Sequence, residues 1–162
     1  MSALDDCTAE ARVLTSLSRS HVARLDELLA RDHRRSQPPE RLVLVVDDEP
    51  ASRMSLVSLL TSRGIDTVAV ATVREARVAV SRHRPAVVLC DYLLAGETAP
   101  DLLRSLDRRH AAVIVSGVVG DERVRVIARD CGAAFVPRPE TPEQLDALVA
   151  MLLRLLPPGG TA

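Results

Sequence analysis

The sequence has no lysine and no tryptophan, and it has only one phenylalanine and one tyrosine among its 162 residues. All 21 basic residues are therefore arginines, which we interpret as a coding bias of the source. Because 22 acidic residues balance them and the net charge is -1, the overall charge does not favour nucleic acid or an anionic membrane as a partner.

Cysteines and long apolar runs are also scarce. Cys7, Cys90 and Cys131 are odd in number and follow neither a CxxC nor a metal-ligand spacing, which favours free thiols in a reducing compartment. No stretch approaches the ~18 consecutive apolar residues of a membrane-spanning helix. Asp5 and Asp6 stand where a secretory signal has basic residues. We therefore expect a cytoplasmic protein.

The length and composition predict one well-buried domain with an appendage. Hydrophobic residues make up 47% of the chain, and 162 residues are too few for two ordinary domains. Residues 3–35 carry leucines and valines at three- and four-residue spacing, which predicts an amphipathic helix. Two prolines follow it. We divide the chain into an N-terminal amphipathic helix with a Pro-containing linker (1–40), a folded domain (41–156) and a disordered tail (157–162).

From Arg41 onward, short apolar runs alternate with helical patterns. The runs predict strands at 42–46, 68–71, 86–90, 112–115 and 134–136. Helices are predicted at 50–64, 72–83, 100–109, 121–132 and 141–156. Five strands that alternate with five helices predict an α/β fold, in which a doubly wound parallel sheet is connected by right-handed crossovers.

Four of the five predicted strands end in polar side chains. Asp47 and Asp48 follow the first strand, Asp91 the third, Ser116 the fourth and Arg138 the fifth. Three close carboxylates repel one another unless a cation is present, and a ligand set made only of oxygen favours Mg²⁺. A hydroxyl and a guanidinium are donors that suit a phosphoryl group. The alternative is that each residue only caps a turn, which would require the same coincidence at four strands.

Residues 41–156 resemble the receiver domain of two-component response regulators. The residues that carry the resemblance are those at 44–50, 88–91, 116–117 and 135–139, each at the family's place in the strand order. The resemblance implies the flavodoxin-like strand order 2-1-3-4-5, so that the whole chain would be a receiver with an N-terminal helical extension.

The resemblance also implies the chemistry of the site. Asp91 would accept a phosphoryl group from a histidine kinase or a phosphotransfer protein. Mg²⁺ would be bound by Asp48, Asp91 and the backbone carbonyl of Leu93, while Asp47 would act through water. Ser116 would donate a hydrogen bond to the phosphoryl oxygens.

The resemblance also points to two further site residues, and the sequence departs from the family's pattern at several positions. Phe135 would be the aromatic residue whose rotamer couples the site to the surface of the last two helices. Arg138 stands where the family has lysine, and Ala95 stands where it has proline. The loop has Thr98 and Ala99 in place of the family's Asp-Gly pair. The intact acidic pair and acceptor argue against a receiver that has lost phosphorylation.

No DNA-binding or catalytic domain is expected after the last helix. We therefore expect the output to be contact with a downstream protein, a change in self-association or a phosphorelay, with no enzymatic activity beyond the receiver's own phosphoryl transfer and dephosphorylation. One alternative is a phosphorylation-independent scaffold or dimerisation module. Another is a phosphatase-type enzyme with an aspartyl nucleophile, but that chemistry needs a second aspartate where Leu93 stands.

The last predicted helix has more apolar surface than a single sheet contact can bury. On a helical wheel its six leucines, one valine and one methionine span an arc of roughly 200°. Surplus apolar surface requires a partner. We expect residues 3–35 either to pack there or to form a homodimer beside it.

Overall fold

The computed structural model describes residues 23–24, 26–28, 39–117 and 122–158. The chain divides into two units, residues 1–38 and 39–162. In the first unit the described residues, 23–24 and 26–28, are helical. The remainder of the helix predicted for 3–35 lies outside the described residues, as do most of the linker and the end of the tail.

The second unit alternates strand and helix as the sequence predicts. Its elements are β1 (Glu40–Val46), α1 (Pro50–Ser62), β2 (Asp66–Val70), α2 (Val73–His83), β3 (Pro85–Asp91), β4 (Leu93–Leu94), β5 (Glu97–Thr98), α3 (Ala99–Leu103), β6 (Ala111–Ser116), α4 (Glu122–Asp130), β7 (Ala134–Pro137) and α5 (Pro142–Leu155). Five strands form a parallel sheet in the order β2-β1-β3-β6-β7. Counted along the main sheet alone, this is the predicted order 2-1-3-4-5, and the predicted fold class is confirmed.

Two hydrophobic clusters cover the two faces of the sheet. Because successive side chains of a strand point to opposite faces, Leu44 and Val88 belong to one cluster and Val45 and Leu89 to the other. The first cluster includes buried residues of α2, α3 and α4, and the second includes buried residues of α1 and α5. Burial on both faces explains why β1 and β3 are almost continuously apolar in the sequence.

The segment after β3 differs from the prediction. The helix predicted for 100–109 is the five-residue α3, and β4 and β5 form an antiparallel hairpin before it. Gly96 gives the hairpin its turn, with φ at 76°. The carboxylate of Asp101 accepts hydrogen bonds from the backbone N–H and the hydroxyl of Thr98, which fixes the start of α3. The helix stops early because the Ser105 hydroxyl and backbone N–H both donate to the carbonyl of Leu102.

α5 begins as predicted and leaves apolar surface exposed. The hydroxyl of Thr141 accepts a hydrogen bond from the backbone N–H of Gln144, whose side chain accepts one in return from the N–H of Thr141. Leu153 and Leu155 are 39% and 38% exposed. Among the described helices, none has the length and apolar character needed to cross a membrane.

Candidate functional site

The polar strand ends meet at one edge of the sheet. β1 and β3 are parallel neighbours with Val46 opposite Cys90, so the next residues, Asp47 and Asp91, leave the sheet side by side. One carboxylate oxygen from each of Asp47, Asp48 and Asp91 lies within 4.8 Å of the others. In the described part of the chain, this is the one group of three or more potential metal-ligating side chains.

Asp47 is held by the first turn of α1. Its side chain is nearly inaccessible, and the residue is 2% exposed. One carboxylate oxygen accepts a hydrogen bond from the backbone N–H of Glu49 at 2.9 Å, and the other accepts one from the hydroxyl of Ser52 at 2.5 Å. The backbone carbonyl of Asp47 accepts a hydrogen bond from the Arg53 guanidinium at 2.6 Å. Sequence reasoning missed Ser52 and Arg53, although a serine and an arginine one turn beyond an acidic pair were the available signal.

Arg138 follows β7 and approaches three of the carboxylates at this edge. Its Nη2 donates to Asp91 Oδ2 at 2.8 Å and lies 3.9 Å from Asp47 Oδ2. Its Nη1 lies 3.5 Å from the carboxylate of Glu49. The backbone N–H of Arg138 donates to the carbonyl of Ser116 at 2.8 Å, which fixes the start of this side chain beside β6. The guanidinium is therefore an integral part of the acidic cluster.

Burial and the Arg138 charge have opposite effects on the pKa of Asp91. Burial is the main cause that raises the pKa of Asp91 above its ordinary value, and the neighbouring Asp47 charge adds to it. The Arg138 guanidinium opposes both effects. Burial and the same two carboxylates raise the pKa of the Cys90 thiol to about 12. At neutral pH this thiol is protonated, so it is a poor nucleophile and a poor metal ligand.

The remaining predicted site residues lie around this cluster. Ser116 is buried at the end of β6, one residue beyond Val115, which pairs with Asp91. Leu93 lies in the hairpin that follows Asp91, and the assignment of its carbonyl to the metal stays a prediction. Phe135 packs against the core in β7, and the guanidinium carbon of Arg125 lies 5.3 Å from the centroid of its ring.

The donor set fits a hard divalent cation. The clustered ligands are three carboxylates, and oxygen-only sites of this kind suit Mg²⁺. A cavity of about 230 Å³ adjoins the carboxylates and extends between α1 and α5. Apart from Asp47, Asp91, Arg138, Ser52 and Ser55, its lining is apolar. A largely apolar space therefore adjoins the carboxylates of Asp47 and Asp91.

Comparison with known proteins decides the family. The model of the response regulator receiver domain matches residues 43–150. The chain belongs to this family. Receiver domains are phosphoacceptor signalling modules that bind Mg²⁺ at an acidic pocket and interact with histidine kinases or phosphotransfer proteins. In this chain the cluster of Asp47, Asp48 and Asp91 is a group of carboxylates that could hold a metal ion.

Curated relatives of this receiver are longer proteins. The DNA-binding response regulator MtrA of Mycolicibacterium smegmatis is 33% identical over 114 residues, which are 69% of this chain and 50% of MtrA. The regulatory protein VirG of Agrobacterium fabrum is 29% identical over 133 residues, which are 80% of this chain and 53% of VirG. The chain thus spans about half the length of the curated relatives it matches.

Solved structures share the receiver fold. The N-terminal receiver domain of RstA from Klebsiella pneumoniae, activated with BeF3, superposes with a TM-score of 0.61 at 22% identity, covering 70% of this chain and 98% of that one. The chemotaxis response regulator CheY4 of Vibrio cholerae gives a TM-score of 0.62 at 21% identity, covering 72% of this chain and 99% of that one. At these identities the likeness concerns the fold alone.

Proposed function

We propose that this receiver takes a phosphoryl group from a phosphohistidine of a kinase or phosphotransfer protein onto Asp91. The observation that carries the proposal is the placement of the Asp91 carboxylate between two further carboxylates and the Arg138 guanidinium. An oxygen of Asp91 would form the new bond to phosphorus while the bond from phosphorus to the histidine nitrogen breaks. That nitrogen keeps the electron pair of the broken bond and takes up a proton.

The other residues have supporting roles in this proposal. Asp48, Asp91 and the carbonyl of Leu93 would bind Mg²⁺, and Asp47 would act through water. When bound, Mg²⁺ supplies positive charge that offsets the carboxylate repulsion and the charge on the phosphoryl oxygens. Ser116 and Arg138 would donate hydrogen bonds to those oxygens.

Intact-mass spectrometry tests the proposed function directly. The full chain is incubated with Mg²⁺ and a small acyl phosphate, and we expect it to gain the mass of one phosphoryl group. A matched sample with a metal chelator should gain none. If the protein never gains this mass but still binds its partner, the phosphorylation-independent scaffold is the better description.

The proposal extends to the output of the receiver. We propose a downstream protein as its target and no enzymatic activity beyond its own phosphoryl transfer and dephosphorylation. A cytoplasmic location is part of the proposal, because Cys90 and Cys131 are free thiols and free thiols favour a reducing compartment.

Phe135 is proposed as the residue that couples Asp91 to the surface of α4 and α5. The Arg125 guanidinium over its ring supports this role, because such a cation–π contact stabilises one ring position by ~0.5–1 kcal/mol at an exposed site. Arg125→Gln should therefore shift the ring population by about two- to fivefold. Selective ¹³C-phenylalanine labelling measures the shift, because Phe135 is the only phenylalanine and gives a single aromatic spin system.

The matched control is Arg129→Gln on the same helix. Arg129 carries the same charge, and its guanidinium pairs with the neighbouring Asp130 at 3.6 Å. This variant should leave the Phe135 resonances in place. Equal shifts in both variants would mean that the net charge of α4, and not the contact with the ring, controls the aromatic side chain.

We also propose that the receiver forms a homodimer through the N-terminal helix and α5. The support is the exposed pair Leu153 and Leu155, together with the apolar stripe of residues 3–35. A chain that begins at Arg41 should aggregate or change its oligomeric state, as measured by light scattering after size-exclusion chromatography. Replacing both leucines by glutamine in the full chain should change the oligomeric state as well. The idea fails if the shortened chain stays soluble in the same state as the full chain.

A further inference from the structure

Asp47 is a charged side chain with very little access to solvent. The residue is 2% exposed, and burial of an ionised carboxylate is unfavourable unless hydrogen-bond donors replace the water it loses. Two donors come from α1 and the turn before it: the N–H of Glu49 to Oδ1, and the hydroxyl of Ser52 to Oδ2. Asp47 therefore depends on neighbouring protein groups for its orientation.

The two donors fix different parts of the Asp47 side chain. The N–H of Glu49 belongs to the backbone and anchors Oδ1. Arg138 is 3.9 Å from Oδ2, which is beyond hydrogen-bond distance. The hydroxyl of Ser52, at 2.5 Å, donates a hydrogen bond to Oδ2. With both oxygens anchored, the plane of the carboxylate is set, and each oxygen keeps a lone pair for another partner.

We infer that Ser52 is a positioning residue for the proposed Mg²⁺ site, acting through Asp47. The inference rests on the proposed function, since Asp47 belongs to the carboxylate cluster assigned to the metal. Groups that hydrogen-bond a metal-binding side chain typically change metal affinity about 10- to 100-fold when they are removed. The effect here belongs at the lower end, because Asp47 is assigned to the metal through water and keeps its bond from Glu49.

A Mg²⁺ titration of the full chain tests the role of Ser52. Tyr92 follows Asp91 directly and is the only tyrosine in a chain without tryptophan, so its fluorescence reports on the site, and calorimetry gives an independent affinity. Ser52→Ala should weaken Mg²⁺ binding about tenfold. Ser52→Thr keeps the hydroxyl, and Ser52 lines a cavity of about 230 Å³. This variant should restore the affinity to within about twofold of the original protein.

Ser55→Ala is the matched control. Ser55 lies one turn further along α1 and lines the same cavity, but its hydroxyl donates to the carbonyl of Ala51 at 2.9 Å. Removing it should leave Mg²⁺ affinity unchanged. Melting curves without metal establish that each variant is folded before it is titrated.

A double-mutant cycle separates positioning from a general effect on folding. If Ser52 acts through Asp47, Ser52→Ala should have almost no further effect on Mg²⁺ affinity in an Asp47→Asn background. Equal affinity of Ser52→Ala and the original protein would overturn the inference, as would a full tenfold loss in the Asp47→Asn background. If the original protein binds no Mg²⁺ and gains no phosphoryl mass, the proposed function and the inference both fail. If it does both and Ser52→Ala binds normally, only the inference fails.

Discussion

Replacing Asp91 by asparagine should abolish the gain of phosphoryl mass in the presence of Mg²⁺ and a small acyl phosphate. An amide is nearly the same size as a carboxylate but has no anionic oxygen that can attack phosphorus. The change also removes one of the three clustered carboxylates and the partner of the Arg138 Nη2 group. Intact-mass spectrometry under conditions that fully label the original protein measures this loss.

Asp66→Asn provides the control for Asp91. Asp66 is an exposed aspartate at the first position of β2, at the opposite edge of the sheet from the carboxylate cluster. Its substitution should leave labelling unchanged. Labelling that persists in Asp91→Asn, with the added mass mapped to another carboxylate, would show that the acceptor has been assigned to the wrong residue.

The sheet could be predicted because its central strands, β1 and β3, are surrounded by apolar side chains on both faces. β1 and β3 are buried on both faces, so nearly every residue from Val43 to Val46 and from Ala86 to Cys90 is apolar. The carboxylates follow these runs directly. Since neighbouring parallel strands end at the same edge, the juxtaposition of Asp47 with Asp91 follows from the strand pattern once the order of strands is known.

The segment between β3 and β6 could not be predicted in the same way. The sequence predicts a helix over 100–109, and Leu102, Leu103 and Leu106 have the spacing of a helix. The serine that ends α3 at its second turn acts through a local hydrogen bond, which apolar periodicity does not report. The hairpin before α3 has two residues in each strand, too few for an alternating pattern to be recognised.

The partners of the site residues were the least predictable feature. Residue types at strand ends indicated carboxylates, a hydroxyl and a cation, and each of these lies where the topology requires. The bonds from Ser52 to Asp47 and from Arg138 to Glu49 depend on how α1 and the end of β7 approach the sheet edge. Such distances come from tertiary packing, and a single sequence holds no direct measure of them.

Arg138 stands where the family has lysine, and its contacts with Asp91 and Glu49 limit what the arginine can do there. A lysine would offer a compact charge on a flexible stem, whereas the arginine fork binds Asp91 with one nitrogen and approaches Glu49 with the other. Pro137 and Pro139 restrict the backbone on both sides. The guanidinium therefore has little freedom to move from the carboxylate to a phosphoryl oxygen, and we expect weak coupling to Phe135.

Arg138→Met should tighten Mg²⁺ binding about tenfold and abolish the phosphorylation-dependent change in oligomeric state or partner affinity. The tighter binding follows because the guanidinium, 2.8 Å from Asp91 Oδ2, repels a cation at the same cluster and competes for the same oxygen. The phosphorylation-dependent change is lost because methionine cannot donate a hydrogen bond to a phosphoryl group. Calorimetric titration with Mg²⁺ measures the first effect, and light scattering before and after phosphorylation measures the second.

Arg138→Lys keeps the charge and is the informative companion. Because the metal and Ser116 supply most of the charge stabilisation in the proposed transfer, the phosphorylation rate should stay within about twofold of the original. The lysine stem is free to follow the phosphoryl group, so the response to phosphorylation should be larger than with arginine. If the lysine variant cannot be phosphorylated, the site depends on the two-nitrogen fork across Asp91 and Glu49, and arginine there is a requirement of this receiver instead of a tolerated substitute.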